Sequence, residues 1–156
     1  MHLPNRRSIR LPGFDYSQNG AYFVTTNVRN KQIVLSLVQN DAPLLTAAGA
    51  TVSACLEQLS RHYPHVIVDA FVIMPDHVHF IVFLESLPGQ TPRHGLPEIV
   101  RAFKSFSARE INVLSGTQGQ PFWQRNYFEH IIRDEQSLLA IRKYIADNPM
   151  RSKNRD

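Results

Sequence analysis

The segment HVHFIVFL (residues 77–84) constrains the fold more than any other part of the chain. It is β-branched and aromatic, and only Pro75 and Asp76 separate it from VIVDAFVIM (66–74). So short a link joins antiparallel neighbours in a hairpin. Side chains alternate along a strand, so Val78, Phe80, Val82 and Leu84 share one face. Ile81 and Phe83 share the other with His77 and His79. A strand apolar on both faces belongs inside a sheet that is covered on both faces.

The remaining elements follow from their periodicity. AYFVTTNV (21–28) reads as a first strand. Apolar residues Leu45, Ala48, Val52, Cys55, Leu56 and Leu59 recur at helical spacing over 44–61, and Tyr63-Pro64 ends that helix. A second helix carries Leu96, Ile99, Val100, Phe103 and Phe106 on one side, with Arg101, Lys104 and Ala108 on the other. YFEHIIR (127–133) is predicted as the fourth strand, after the turn-rich SGTQGQP. Asp134 caps a last helix, EQSLLAIRKYIADN, which Pro149 is expected to close.

The order is β-α-β-β-α-β plus a terminal helix. Two split β-α-β units of this kind predict an α+β, ferredoxin-like antiparallel sheet with its first and third strands central. The first two helices cover one face, which leaves the terminal helix for the histidine face. Residues 1–156 are expected to form one domain, with 1–20 as a basic irregular lead.

His77 and His79 project on the same side, and two neutral imidazoles converging on one point can hold a divalent metal. The competing reading places one at a strand edge and satisfies the other with a backbone carbonyl. On the terminal helix, Ile141, Tyr144, Ile145 and Asn148 form one stripe at i, i+3, i+4 and i+7. Packed on the histidine face, that stripe brings Tyr144 and Asn148 to the imidazoles. A phenol activated by a metal is then a nucleophile. As isolated residues, Tyr144 reads first as a core aromatic and Asn148 as a helix C-cap.

One cysteine, Cys55, excludes an internal disulfide and a cysteine zinc cluster, and is expected in the core. There is no apolar run of membrane-spanning length and no signal-like N-terminus, so no membrane partner and a cytoplasmic location are expected. Seventeen Lys+Arg against 13 Asp+Glu leave a charge of +4. The cations cluster at Arg6, Arg7 and Arg10, on the second helix at Arg101, Lys104 and Arg109, and near the C-terminus. These are either solvated surface charges or a phosphate-binding surface.

MPDHVHFIV, WQRNYFEHIIRDE and IRKYIADNP, in this order and spacing, resemble the REP-associated tyrosine transposases, a group of single-tyrosine HUH endonucleases. RRSIRLPGFDYSQNGAYFVT and IVRAFKSFSAREIN resemble the same family's N-terminal segment and second helix, so the likeness spans about residues 6–150. The resemblance implies cleavage of single-stranded DNA beside a REP-type hairpin, through a covalent 5′-phosphotyrosine. It implies that His77 and His79 hold Mg²⁺ or Mn²⁺ with help from Asn148, and that Tyr144 is the nucleophile. For such an activity, the basic residues Arg6, Arg7, Arg10, Arg101, Lys104 and Arg125 are expected to contact the DNA backbone. Monomer and homodimer both stay open. Relatives often carry Asn at the place of Asp76, which is expected chiefly to make the turn and otherwise to add negative charge beside the histidine pair, and many continue past the Asn148-Pro149 match. Tyr127 is the competing nucleophile, and His130 is expected to be structural.

Two other functions fit parts of the pattern. A non-catalytic module of the same topology would stack single-stranded bases on Tyr22 and Phe23. A histidine-triad hydrolase would need a third alternating histidine, where Ile81 stands.

Overall fold

A computed structural model describes residues 20–40, 42–85 and 95–154. Strand β1 (Gly20–Val28) runs into a 3-10 turn, Arg29–Lys31, and a small hairpin of β2 (Ser36–Gln39) and β3 (Ala42–Leu45). Helix α1 (Ala47–His62), strands β4 (Val66–Ile73) and β5 (His77–Leu84), and helix α2 (Leu96–Ser115) follow. Strand β6 (Trp123–Ile131) and helix α3 (Glu135–Asn154) complete the order. The four-stranded antiparallel sheet runs β4-β5-β1-β6, the ferredoxin-like arrangement with β1 and β5 central.

The alternation along β5 sorts the molecule into two apolar layers. Val78, Phe80, Val82 and Leu84 pack with Val52, Leu56 and Leu59 of α1 and with Ile99, Val100 and Phe103 of α2. On the reverse face, Ile81 and Phe83 pack with Leu138, Ile141 and Ile145 of α3. Asp134 caps α3 as expected, its Oδ1 accepting from the Ser137 amide at 2.8 Å. Cys55 lies in the first layer, where burial, before the neighbouring Glu110, pushes its thiol up to about 11.

Several expectations shift. The β2–β3 hairpin escaped the periodicity reading, and it takes Leu44 and Leu45 away from the first helix. Thr46 is the real N-cap, accepting from the Gly49 amide at 3.1 Å. Strand β6 begins at Trp123, four residues before the predicted start, because its pairing with β1 resumes beyond an irregularity between Thr26 and Val28. The extra residues expose the carbonyls of Gln124 and Arg125, and the Lys104 ammonium donates to both, at 2.7 and 2.9 Å. Phe106 stands outside the core, over His62 and beneath Arg109, while Ala108 packs inward. Pro149 does not close α3. The helix runs to Asn154, so losing one amide donor is tolerated there, and Asn148 is not its C-cap.

Helix α3 is tied to the sheet edge as well as packed on it. A register shift between Val68 and Ala70 leaves Asp69 as an extra residue in β4. The Arg142 guanidinium donates to both of its carboxylate oxygens, at 2.8 and 2.6 Å.

A second tight junction lies where α1 crosses the hairpin. Leu35 accepts from both the amide and the hydroxyl of Thr46. A Cβ on Gly49 would overlap that same carbonyl oxygen. Alanine normally stabilises a helix over glycine by about 1 kcal/mol. Here Gly49→Ala is expected to destabilise by about 2–3 kcal/mol, because backbone must move to admit the methyl. Urea unfolding measures it, and an unchanged or raised midpoint would refute the clash.

Candidate active site

His77 and His79 occupy the first and third positions of β5, on the face under α3. Their ring centroids are 4.7 Å apart. Strand pairing sets Asn27 opposite His77 and Thr25 opposite His79, so two polar side chains of β1 join them on this face. The Thr25 hydroxyl lies 2.8 Å from Nδ1 of His79. A carboxylate oxygen of Asp76 lies 2.6 Å from Nδ1 of His77. Asp76 therefore does more than turn the chain: as an acceptor it fixes the His77 tautomer, with the proton on Nδ1. Both imidazoles spend Nδ1 on the protein and keep Nε2 for a guest.

Burial, then the charges of His77 and Lys31, pulls His79 down to about 3. Its imidazole is thus neutral across the physiological range, the form that has a lone pair to give. Phe23 stacks on this ring with centroids 5.2 Å apart.

Helix α3 delivers the other predicted residues. The Tyr144 ring meets His79 edge-on at a centroid distance of 5.5 Å and Phe23 at 6.1 Å. Asn148 is one turn further on, 5% exposed, and its Nδ2 has no hydrogen-bond partner. Among the described residues, no three His, Cys, Asp or Glu side chains gather into a metal-binding group. The lone-pair donors on offer are two imidazoles with oriented partners and the Asn148 carbonyl oxygen, whereas the unpartnered Nδ2 of Asn148 is a hydrogen-bond donor that suits an anionic oxygen.

The competing residues fall elsewhere. Tyr127 pairs with Thr26, packs against the helix-covered layer, and has its phenol pushed up by burial and by Glu129. It is on the wrong face to reach the imidazoles. His130 is exposed on the edge strand, opposite Phe23 and so on the same face as the imidazoles, at its rim. Ile81, at the third alternating position, is fully buried core. Tyr22 and Phe23 point to opposite faces, Tyr22 into the first layer and Phe23 against His79 and Tyr144, so they form no joint stacking platform.

The predicted DNA-contact residues separate in the same way. Arg101, Lys104 and Arg125 line one groove between α2 and β6, across the sheet from the histidines. Arg6, Arg7 and Arg10 lie outside the described residues. Sequence reasoning missed Thr25, Asn27, Asp76 as a side-chain partner, and Lys31, whose Nζ donates to Asn27 Oδ1 at 2.7 Å. The signal for Thr25 and Asn27 was present: a period of two along 21–28 places both on the face of Phe23.

The depressed His79 has a pH consequence. Between about pH 6.5 and 3 the unfolded chain binds a proton that the folded chain refuses, so stability is lost as pH falls through this window. The slope from this one group approaches about 1.4 kcal/mol per pH unit at most. Urea unfolding in chelator-treated buffer is expected to show a shallower acid dependence for His79→Asn than for the native chain. Equal slopes would mean that His79 is not held neutral.

Comparison with known proteins bears on the family and the fold. A 36% identical protein of Haemophilus influenzae (strain Rd), itself uncharacterised, aligns over 95% of this chain and 90% of its own length. A second from that strain, assigned as a REP-associated tyrosine transposase, is 29% identical over 88% of this chain and 74% of its own. In fold, the chain is similar to a REP-associated tyrosine transposase solved with a REP hairpin. The TM-score is 0.63 at 23% identity, covering 96% of this chain and 74% of that one. It is also similar to a transposase-like protein from Deinococcus radiodurans, with a TM-score of 0.56 at 21% identity and coverage of 90% and 97%. No helix among the described residues is long and apolar enough to cross a membrane. The family model for IS200-like transposases matches residues 24–148, from β1 to Asn148 in α3, and the chain belongs to that family.

Proposed function

We propose that this chain is a metal-dependent endonuclease and strand transferase acting on single-stranded DNA beside a REP-type hairpin. The observation that carries the reading is the meeting of Tyr144 with His79, which itself lies against His77, brought from α3 and β5 onto one face. Family membership supports the reaction class, and the relative solved with a REP hairpin supports the substrate.

In this reading His77, His79 and Asn148 hold Mg²⁺ or Mn²⁺. The oriented imidazoles and the carbonyl oxygen of Asn148 suit that guest, while its unpartnered Nδ2 can donate to a phosphate oxygen. When bound, such an ion neutralises phosphate charge and orients the non-bridging oxygens. Tyr144 supplies the nucleophile. Its phenolic oxygen attacks the scissile phosphorus and loses its proton to solvent. The P–O3′ bond breaks, the departing oxygen takes up a proton, and a 5′-phosphotyrosine and a 3′-hydroxyl result. A 3′-hydroxyl attacking that phosphotyrosine reverses the step and joins strands, so no external energy source is consumed. The Asp69–Arg142 ion pair holds α3 two residues before the nucleophile, and Arg101, Lys104 and Arg125 contribute phosphate contacts.

The test uses hairpin oligonucleotides with single-stranded flanks, Mn²⁺, and the Tyr144→Phe and Tyr127→Phe variants. Tyr144→Phe is expected to lower cleavage by at least about a thousandfold and to abolish the covalent adduct seen by mass spectrometry. Tyr127→Phe should keep both, and a chelator should stop all cleavage. Equal cleavage by the native chain and Tyr144→Phe would reject Tyr144 as nucleophile. Full cleavage in chelator would reject the metal.

A further inference from the structure

Three cavities adjoin on the helix-covered face, across the sheet from the imidazoles. The first, about 470 Å³, lies between α2 and β6 and is lined by Arg101, Lys104, Arg125 and Tyr127. The second, about 700 Å³, shares Trp123, Gln124 and Arg125 with it and adds Arg29. The third, about 510 Å³, shares Arg29, Asn30 and Pro121 with the second and reaches Phe122 and Ser115. Shared walls make them one trough. It follows α2 from Pro97 to Ser115, about 27 Å at the helical rise of 1.5 Å per residue.

The lining contains four cations and, among the described residues, no carboxylate. In a chain with 13 acidic residues, that exclusion selects a polyanion. Tyr127 and Phe122 add aromatic surface. Cations tracking a backbone, with rings beside them for bases, are the composition of grooves that take single strands.

The trough also connects to the other face. Arg29 and Lys31 are the two ends of the 3-10 turn that follows β1. The Arg29 amide donates to Phe122, which fixes that end beside the trough, while Lys31 reaches Asn27 on the histidine face. Between them the chain takes positive φ twice without glycine, 60° at Asn30 and 54° at Lys31. That conformation is unfavourable for such residues. Here it sends neighbouring cations to opposite sides of the sheet.

We infer that the trough holds, by its phosphates, a single strand that leaves the imidazole site and crosses to the helix face over the Arg29–Lys31 turn. The inference rests on the nicking reading for what lies at the far end of that strand, whereas the polyanion chemistry of the trough stands by itself.

The experiment is fluorescence anisotropy of the full chain in chelator, across a salt series. The probes are labelled dT oligonucleotides of about 5 and about 15 nucleotides, and hairpins of short and long stem without flanks. The longer dT strand is expected to bind at least about tenfold tighter, with a steeper salt dependence. Arg29→Ala/Arg125→Ala, both at exposed side chains, should cancel the gain and lower the slope of log K against log salt by about 1.4, or 0.7 per lost phosphate contact. Arg61→Ala/Arg133→Ala removes the same charge from exposed positions outside the trough and should keep the gain. A length gain that survives in Arg29→Ala/Arg125→Ala overturns the inference, as does affinity that follows stem length instead of strand length. Tyrosine-dependent cleavage without any length gain would sink the trough alone. Failure to bind any of these probes would sink the nicking reading with it.

Discussion

The structure depends on the double-sided burial of β5. Its residues from Val78 to Leu84 are all buried, so neither face of the sheet's centre can be left to water. Helices α1 and α2 meet one face. Without α3, Ile81 and Phe83 would be exposed together with Ala21 and Val72 of the neighbouring strands and Met74 just beyond β4. Burying a side chain of that size is worth about 1.5–3 kcal/mol. The hydrophobic effect that docks α3 through Leu138, Ile141 and Ile145 therefore also decides where Tyr144 and Asn148 lie. Packing and site assembly are one event, since residues 141, 144, 145 and 148 share a stripe.

Apolar packing alone leaves a helix free to slide or rotate on a sheet, and two polar devices limit that freedom. The Asp69 carboxylate exists at the right place only because β4 carries an extra residue there, and its paired bonds to Arg142 fix direction as well as distance. The Asp134 cap fixes the start of the helix, with Ile132 bonded to Ala21 just before it. An irregularity in β6 does comparable work on the other face, where Lys104 takes the freed carbonyls of Gln124 and Arg125. In both strands the departure from regular pairing is where charged side chains are set.

Much of this was legible in the sequence because it rests on short-period alternation. A period of two along 77–84 separated the layers correctly, and a period of 3.6 along 141–148 named the stripe that meets the histidines. What escaped was set by tertiary contact. Leu44 and Leu45 fit a helical pattern as well as a strand, and the Thr46 cap, which depends on the carbonyls of Val34 and Leu35, decides between them. Gln124, Arg125 and Asn126 look like loop because their polar side chains hide a strand that pairs irregularly. Phe106 keeps helical register with the core residues but falls at the rim, where a cation and an imidazole accept its ring. Pro149 carries a local signal to stop, yet the helix continues past it.

The unpartnered buried polar atoms show where the molecule leaves its own needs unmet. There are three among the described residues: Thr26 Oγ1, Asp134 Oδ2 and Asn148 Nδ2. Leaving such a group unsatisfied costs about 1–3 kcal/mol, so each calls for a reason. Asp134 Oδ2 belongs to a carboxylate at a helix N-terminus, where the macrodipole favours negative charge and the other oxygen is already bonded. Thr26 lies on the helix-covered face opposite Val78, and nothing in the structure explains its unpartnered hydroxyl. Asn148 alone shares a face with two imidazoles whose Nδ1 atoms are spoken for, one turn beyond a phenol packed against His79. Neither a helix cap nor core packing explains an amide in that position, since the helix continues and the group has no partner within the protein. In the proposed reaction a phosphate oxygen of the substrate would supply the acceptor that Nδ2 lacks.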